Sequence, residues 1–220
     1  MGDYTTSTLT DDTGGSALVT VSAPENRASG VEVLTDLNTG GSSGFARFAV
    51  ESAASFDPAG SLSITSIDWS VDIASDGDEN STTILYPAIF QGAASFVYTS
   101  GGLSGGNSAG FRPTGTSFIP LAANGLEDSD FELFDVASTP TGFTIDFSSE
   151  VTAGTHPDFS AAGDAITFGY IAVAGSGSGD FPRREAVVDN SEIEVTFVPE
   201  PATLALMGFG ALIAVRRRRA

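Results

Sequence analysis

Three groups of side chains in this chain have the types and spacing to do chemistry. Asp76, Asp78 and Asn80 stand at alternate positions in Asp76-Gly77-Asp78-Glu79-Asn80-Ser81. Alternate oxygen side chains converge on one cation when the backbone curls, and Gly77 permits the curl. Such a hard-oxygen set suits a structural Ca²⁺, the one cofactor the sequence suggests. The bidentate Glu that completes an EF-hand loop is missing, so the plain alternative is a solvated acidic turn. Tyr86, Tyr98, Phe111 and Arg112 form the second group. Aromatic faces meet the apolar faces of pyranose rings and Arg adds donors, so these four are candidates for a sugar-stacking patch. The third group, Glu127, Asp128 and Asp130, reads as an exposed acidic loop.

Catalytic constellations are harder to assemble. His156 is the only histidine, in the loop-like Thr155-His156-Pro157-Asp158, and one His cannot build a multi-His zinc site. No Gly-x-Ser-x-Gly elbow is present. Paired carboxylates hydrolyse glycosides at separations of about 5–10 Å. With 28 acidic residues such a pair arises by number alone. We therefore expect no catalytic residue and no enzyme. The alternative is a secreted glycoside hydrolase or lyase, which requires a deep groove with two facing carboxylates, one of them buried.

Charge narrows the partners. The formal net charge is −19, and all nine basic residues are Arg, four of them in the final block. The body before that block is more acidic still. Such a surface repels nucleic acid and anionic polymers, so no nucleic-acid partner is expected. There is no cysteine, hence no disulfide framework and no thiolate metal site.

The elements that must position these groups read as short strands. Ala17–Ala23, Val31–Leu37, Phe45–Glu51, Thr82–Phe90, Ala94–Thr99, Ser117–Leu121, Phe131–Val136, Phe143–Phe147, Ile166–Val173 and Glu192–Val198 carry strand patterns between Gly, Pro, Asn and Asp turns. The clearest is Leu62–Ile73, where Ile67, Trp69, Val71 and Ile73 alternate with Asp68, Ser70 and Asp72. Leu62 and Ile64 have the opposite parity, so a bulge or a short turn is expected at Thr65-Ser66. Trp69 is expected inside. Residues 1–16 read as a flexible start and 17–198 as one domain. With no sustained helical stripe in the body, the fold is predicted as all-β: an antiparallel β-sandwich, jelly-roll-like. A single short C-terminal transmembrane helix is expected to follow it.

That helix belongs to the stretch 199–220. Pro199, Glu200 and Pro201 come first. An apolar run follows with Ala202, Leu204, Leu206, Gly208, Leu212, Ile213 and Val215, and then Arg216, Arg217, Arg218 and Arg219. Prolines stop a strand, the apolar residues suit a lipid-solvated helix, and basic flanks collect on the cytoplasmic side of a bilayer. The run is short for a hydrocarbon core of about 30 Å, so it must borrow flanking residues or thin the bilayer.

This order of parts resembles the PEP-CTERM sorting signal of bacterial surface proteins. The resemblance implies an exported protein, held in the membrane by its tail and handed to an exosortase-type transpeptidase that cuts near the triplet. Its destination would be the cell surface or extracellular matrix, with extracellular polysaccharide as a candidate partner. The opening Met1-Gly2-Asp3-Tyr4-Thr5-Thr6 has neither the basic nor the apolar region of a leader, so the leader is expected upstream. Phe56-Asp57-Pro58, Ile67–Asp72 and Tyr86–Gln91 are similar to a pattern in other PEP-CTERM cargo domains that resemble carbohydrate-binding jelly rolls; no site residue carries over from it.

Overall fold

A computed structural model describes residues 4–11, 16–22, 31–38, 44–58, 62–74, 83–99, 119–138, 140, 142, 144–176 and 183–199. The described chain is all-β, in two antiparallel sheets. One holds seven strands: β1 (Tyr4–Asp11), β4 (Gly44–Phe56), β11 (Ile166–Ser176), β6 (Thr83–Gln91), β7 (Ala94–Tyr98), β9 (Phe131–Phe134) and β10 (Val151–Thr152), adjacent in that order. The other holds β2 (Ser16–Ser22), β3 (Val31–Asn38), β12 (Arg183–Pro199), β5 (Leu62–Ala74) and β8 (Ile119–Leu126). A short 3-10 helix, Asp128–Asp130, links β8 to β9.

The sheets pack through their aromatic residues. Trp69 of β5 is fully buried, with its ring edge-on to Phe168 and Tyr170 of β11 at 6.0 and 5.7 Å. Its indole N–H donates to the Tyr170 hydroxyl at 3.4 Å, so the polar tip is satisfied inside the core. Of the bulge or short turn expected at Thr65-Ser66, the bulge is present. Thr196 pairs with Ser66 and Phe197 with Ile64, leaving Thr65 as the extra residue of β5. That one residue restores parity, so Ile64, Ile67, Trp69 and Val71 are all buried.

The seven-stranded sheet is buried on both faces at its centre, where every residue from Ala46 to Val50 and from Ile84 to Phe90 is buried. One face meets the second sheet. On the other face, residues 142 and 144–150 of the segment after β9 meet Arg47 and Tyr86. A strand with two buried faces has no wet side, so its sequence runs apolar without alternation.

Two expectations are corrected. The flexible start assigned to 1–16 contains β1, which pairs antiparallel with β4 from Tyr4↔Ser52 to Asp11↔Ala46. Its Thr-rich sequence has strand propensity without an apolar stripe, and it pairs at the edge of the sheet. Phe143–Phe147, expected as a strand, is irregular where described and turns at Phe147–Ser149. The Asp146 carboxylate accepts bonds from the Ser148 N–H and Oγ and the Ser149 Oγ at 2.6–2.9 Å, which closes a turn instead of a ladder. Those donors hold the Asp146 carboxyl below its usual range.

Candidate functional site

A groove of about 560 Å³ opens beside the turn between β6 and β7. Its lining includes Gln91, Ser95, Asp135, Val136, Thr152 and Asp164. The turn is fixed by Gly92 at φ +61, a conformation that favours glycine. Gln91 bolts the 158–164 loop to this turn. Its amide nitrogen donates to the carbonyls of Asp158 and Asp164, each at 2.9 Å, and its oxygen accepts the Asp158 N–H at 2.7 Å. The carboxylate of Asp164 thereby lies over Gly92; a methyl group at 92 would meet it at 3.5 Å. Across the groove, Asp135 Oδ1 accepts the Ala137 N–H at 2.9 Å. Val136 is half exposed and gives the site an apolar wall. The groove thus presents carboxylate oxygens beside an apolar patch.

The seven-stranded sheet also carries a buried ion pair under its covering segment. Arg47 of β4 and Glu150 are both wholly buried. The guanidinium forks onto the carboxylate, Nε to Oε2 at 2.8 Å and Nη2 to Oε1 at 2.9 Å. Nη2 also donates to the carbonyls of Gly142 and Thr144 at 3.0 and 2.9 Å. Glu150 Oε1 accepts the Asp146 N–H at 3.2 Å. Each charge is matched and most of its bonding capacity is used, which makes the pair a clamp for the segment. The signal in the sequence was an Arg inside the apolar run Phe45–Val50. Its distant partner had no signal.

The expected sugar-stacking patch does not form from its tyrosines. Tyr86 and Tyr98 are buried, 2% and 4% exposed. Tyr86 lies beneath the covering segment, edge-on to Phe147 at 6.1 Å, and its hydroxyl accepts the Ile145 N–H at 3.3 Å. Tyr98 packs edge-on against Phe131 at 5.9 Å. Register puts them on opposite faces of the sheet: Tyr86 has the parity of Ala88, which pairs with Val97, the neighbour of Tyr98. Burial pushes both phenols above their ordinary pKa. The apolar-rich strands that supply these rings bury both of their faces, so neither ring reaches solvent. Phe111 and Arg112 lie outside the described residues, as do Asp76, Asp78 and Asn80 of the calcium loop.

The acidic cluster before β9 and His156 are locally engaged. Glu127 and Asp130 cap the short 3-10 helix reciprocally, and the Ser129 N–H donates to Asp128 at 2.7 Å. His156 Nδ1 lies 2.8 Å from the Phe131 carbonyl; a carbonyl only accepts, so Nδ1 carries the proton and donates. Among the described residues, no three His, Cys, Asp or Glu side chains gather to hold a metal.

At the far end of the second sheet, β12 runs out to Pro199, and the residues from there on define the chain. Residues 197–219 match the family model described as a PEP-CTERM protein-sorting motif. The chain carries a PEP-CTERM sorting signal. The motif implies a substrate that an exosortase recognises. The signal directs export and a membrane-anchored sorting intermediate. Glu200, Pro201 and the expected helix through Arg219 lie outside the described residues. Among the described residues, no helix is long and apolar enough to cross a membrane. No curated protein matches the chain. A solved structure titled "Structural analysis of an exo-beta-agarase" is similar at 16% identity and TM-score 0.40, over 87% of this chain. The chain spans 23% of that structure, and a likeness of this degree carries no functional argument.

Proposed function

We propose that this chain is a non-enzymatic component of the cell surface or extracellular matrix, delivered there by its PEP-CTERM tail. The observation that carries the reading is the motif at 197–219, which continues directly from the last strand of the sandwich. In this reading the apolar run Ala202–Val215 is a short membrane helix. Arg216–Arg219 hold its cytoplasmic end, and an exosortase-type transpeptidase processes the triplet. Changing Pro199, Glu200 and Pro201 together to Ala tests it in a host that sorts the native chain. The native chain is expected to lose its tail, read by mass, and to leave the membrane fraction. The variant is expected to stay there intact. Equal fates for the two would end the sorting reading.

The acidic, jelly-roll-like sandwich is the cargo, and the groove beside Gly92 is its glycan contact. Asp135 and Asp164 offer acceptors to sugar hydroxyls and Val136 offers an apolar face. Neither carboxylate is the buried acid that a glycoside hydrolase requires. Asp135 is partly exposed, Asp164 is exposed, and the buried Glu150 is held by Arg47. Calorimetric titration of the full chain with neutral glucan and galactan oligosaccharides is expected to show binding. The pair Asp135→Asn and Asp164→Leu should weaken it at least about tenfold, the size of a single lost charged hydrogen bond. Unchanged affinity in that double variant would remove the groove from the reading. Asp76, Asp78 and Asn80 remain the proposed Ca²⁺ ligands.

A further inference from the structure

The sandwich and the sorting signal share residues. The motif begins at Phe197, while β12 continues to Pro199. Phe197, Val198 and Pro199 are thus strand residues of the five-stranded sheet, paired with Ile64, Ser63 and Leu62 of β5. No spacer separates fold from signal.

The grip on these three residues is slight. The extra residue Thr65 breaks the register between Thr196 and Phe197, so the end of β12 is set off from the rest of the strand. The other neighbour, β3, pairs with β12 only over Arg183–Val188, so among the described pairings β5 alone holds the end. Pro199 has no N–H to donate. Phe197 and Val198 are each 48% exposed, and the Phe197 ring leans on Phe56 at a centroid distance of 5.5 Å.

The partner strand is anchored elsewhere. The Leu62 N–H donates to Pro58 at 3.2 Å and the Ile64 N–H to Phe159 at 2.8 Å. Ser63 Oγ accepts the Ala161 N–H at 3.1 Å. β5 therefore keeps its place if the end of β12 leaves. Just before the break, the Thr65 hydroxyl donates to the Thr196 carbonyl at 3.1 Å and holds the strand there.

An enzyme that grips this extended segment in a cleft competes with β5 for the backbone groups of Phe197 and Val198 that pair with it. We propose that the enzyme recognising the PEP-CTERM motif takes Phe197–Pro199 off the sheet. The register break at Thr196 is the hinge at which unpairing stops. The last strand then serves two states, paired in the free protein and enzyme-bound during sorting. The inference rests on the sorting reading above and adds where in the fold the enzyme's grip begins.

The chain has no cysteine, so one engineered pair tests this without interference. Ser63→Cys with Val198→Cys places a disulfide across the paired end. Ser70→Cys with Glu192→Cys places one across the same two strands beyond the hinge. Tail loss is followed by mass in the host that sorts the native chain. The oxidised 63–198 form is expected to lose its tail at least tenfold more slowly than its reduced form, and the oxidised 70–192 form at the native rate. Equal rates for oxidised and reduced 63–198 protein would overturn the inference while leaving the sorting reading intact. Equal slowing by both disulfides would show general stiffening and overturn it as well. No tail loss from the native chain itself would overturn the sorting reading and this inference together.

Discussion

Glu150→Gln is expected to destabilise the protein by about 3–5 kcal/mol, the cost of leaving one member of a buried ion pair without its partner. The amide keeps the shape of the carboxylate and loses its charge, so Arg47 stays wholly buried with only neutral acceptors around it. Arg47→Met should cost a similar amount for the opposite reason. It strands the Glu150 carboxylate and also removes the donor to the Gly142 and Thr144 carbonyls. The double variant Arg47→Met, Glu150→Leu then separates the two contributions. Charge imbalance is gone, but those two carbonyls still lack their donor, so recovery should be partial. Urea unfolding of the four proteins measures this. A loss below about 1 kcal/mol in Glu150→Gln would mean that the covering segment is not clamped by this pair. Hydrogen exchange should rise first in residues 144–150, the part of the segment that the clamp holds.

Gly169→Ala should cost about 3 kcal/mol, at the upper end of what overpacking costs. Gly169 sits in β11 between Glu51 of β4 and Ala88 of β6. A methyl group there would run into the Val50 carbonyl oxygen and stand 3.0 Å from the Glu51 Cα and from the Phe90 ring. Backbone cannot swing aside as a flexible side chain can. The β4–β11 register shifts between Thr167 and Gly169, and the close approach occurs at that irregularity. Thermal unfolding of the variant is the measurement. At roughly 2–4 °C per kcal/mol for a chain of this size, Tm should fall by roughly 6–12 °C. A Tm within 2 °C of wild type would show that the two strands can separate there at little cost.

The contrast between these two sites explains what was legible in advance. The bulge at Thr65 could be read because parity is a local property: Ile64 and Ile67 belong on one face only if a residue is inserted between them. Trp69 could be placed inside for the same reason. The missed features depend on residues far apart in sequence. Arg47 and Glu150 are 103 positions apart, and nothing near either one names the other. Gln91 and Asp158 are 67 apart, so the groove they help to build has no local pattern. Tyr86 and Tyr98 misled because an aromatic residue in a strand reads the same whether its face is wet or covered. The cover over Tyr86 is an irregular segment, and irregular segments have no period to detect.

The order of residues alone determined the all-β character of the chain, the inward face of β5 and the sorting signal, because each is carried by neighbours along the backbone. Strand pattern, charge and a contiguous motif survive any folding outcome. Only the tertiary structure decided which faces are covered, which carboxylate is neutralised and that the sorting signal begins inside a paired strand. Those properties arise when distant segments exclude water together, and burial of that kind is a property of the assembled sheets.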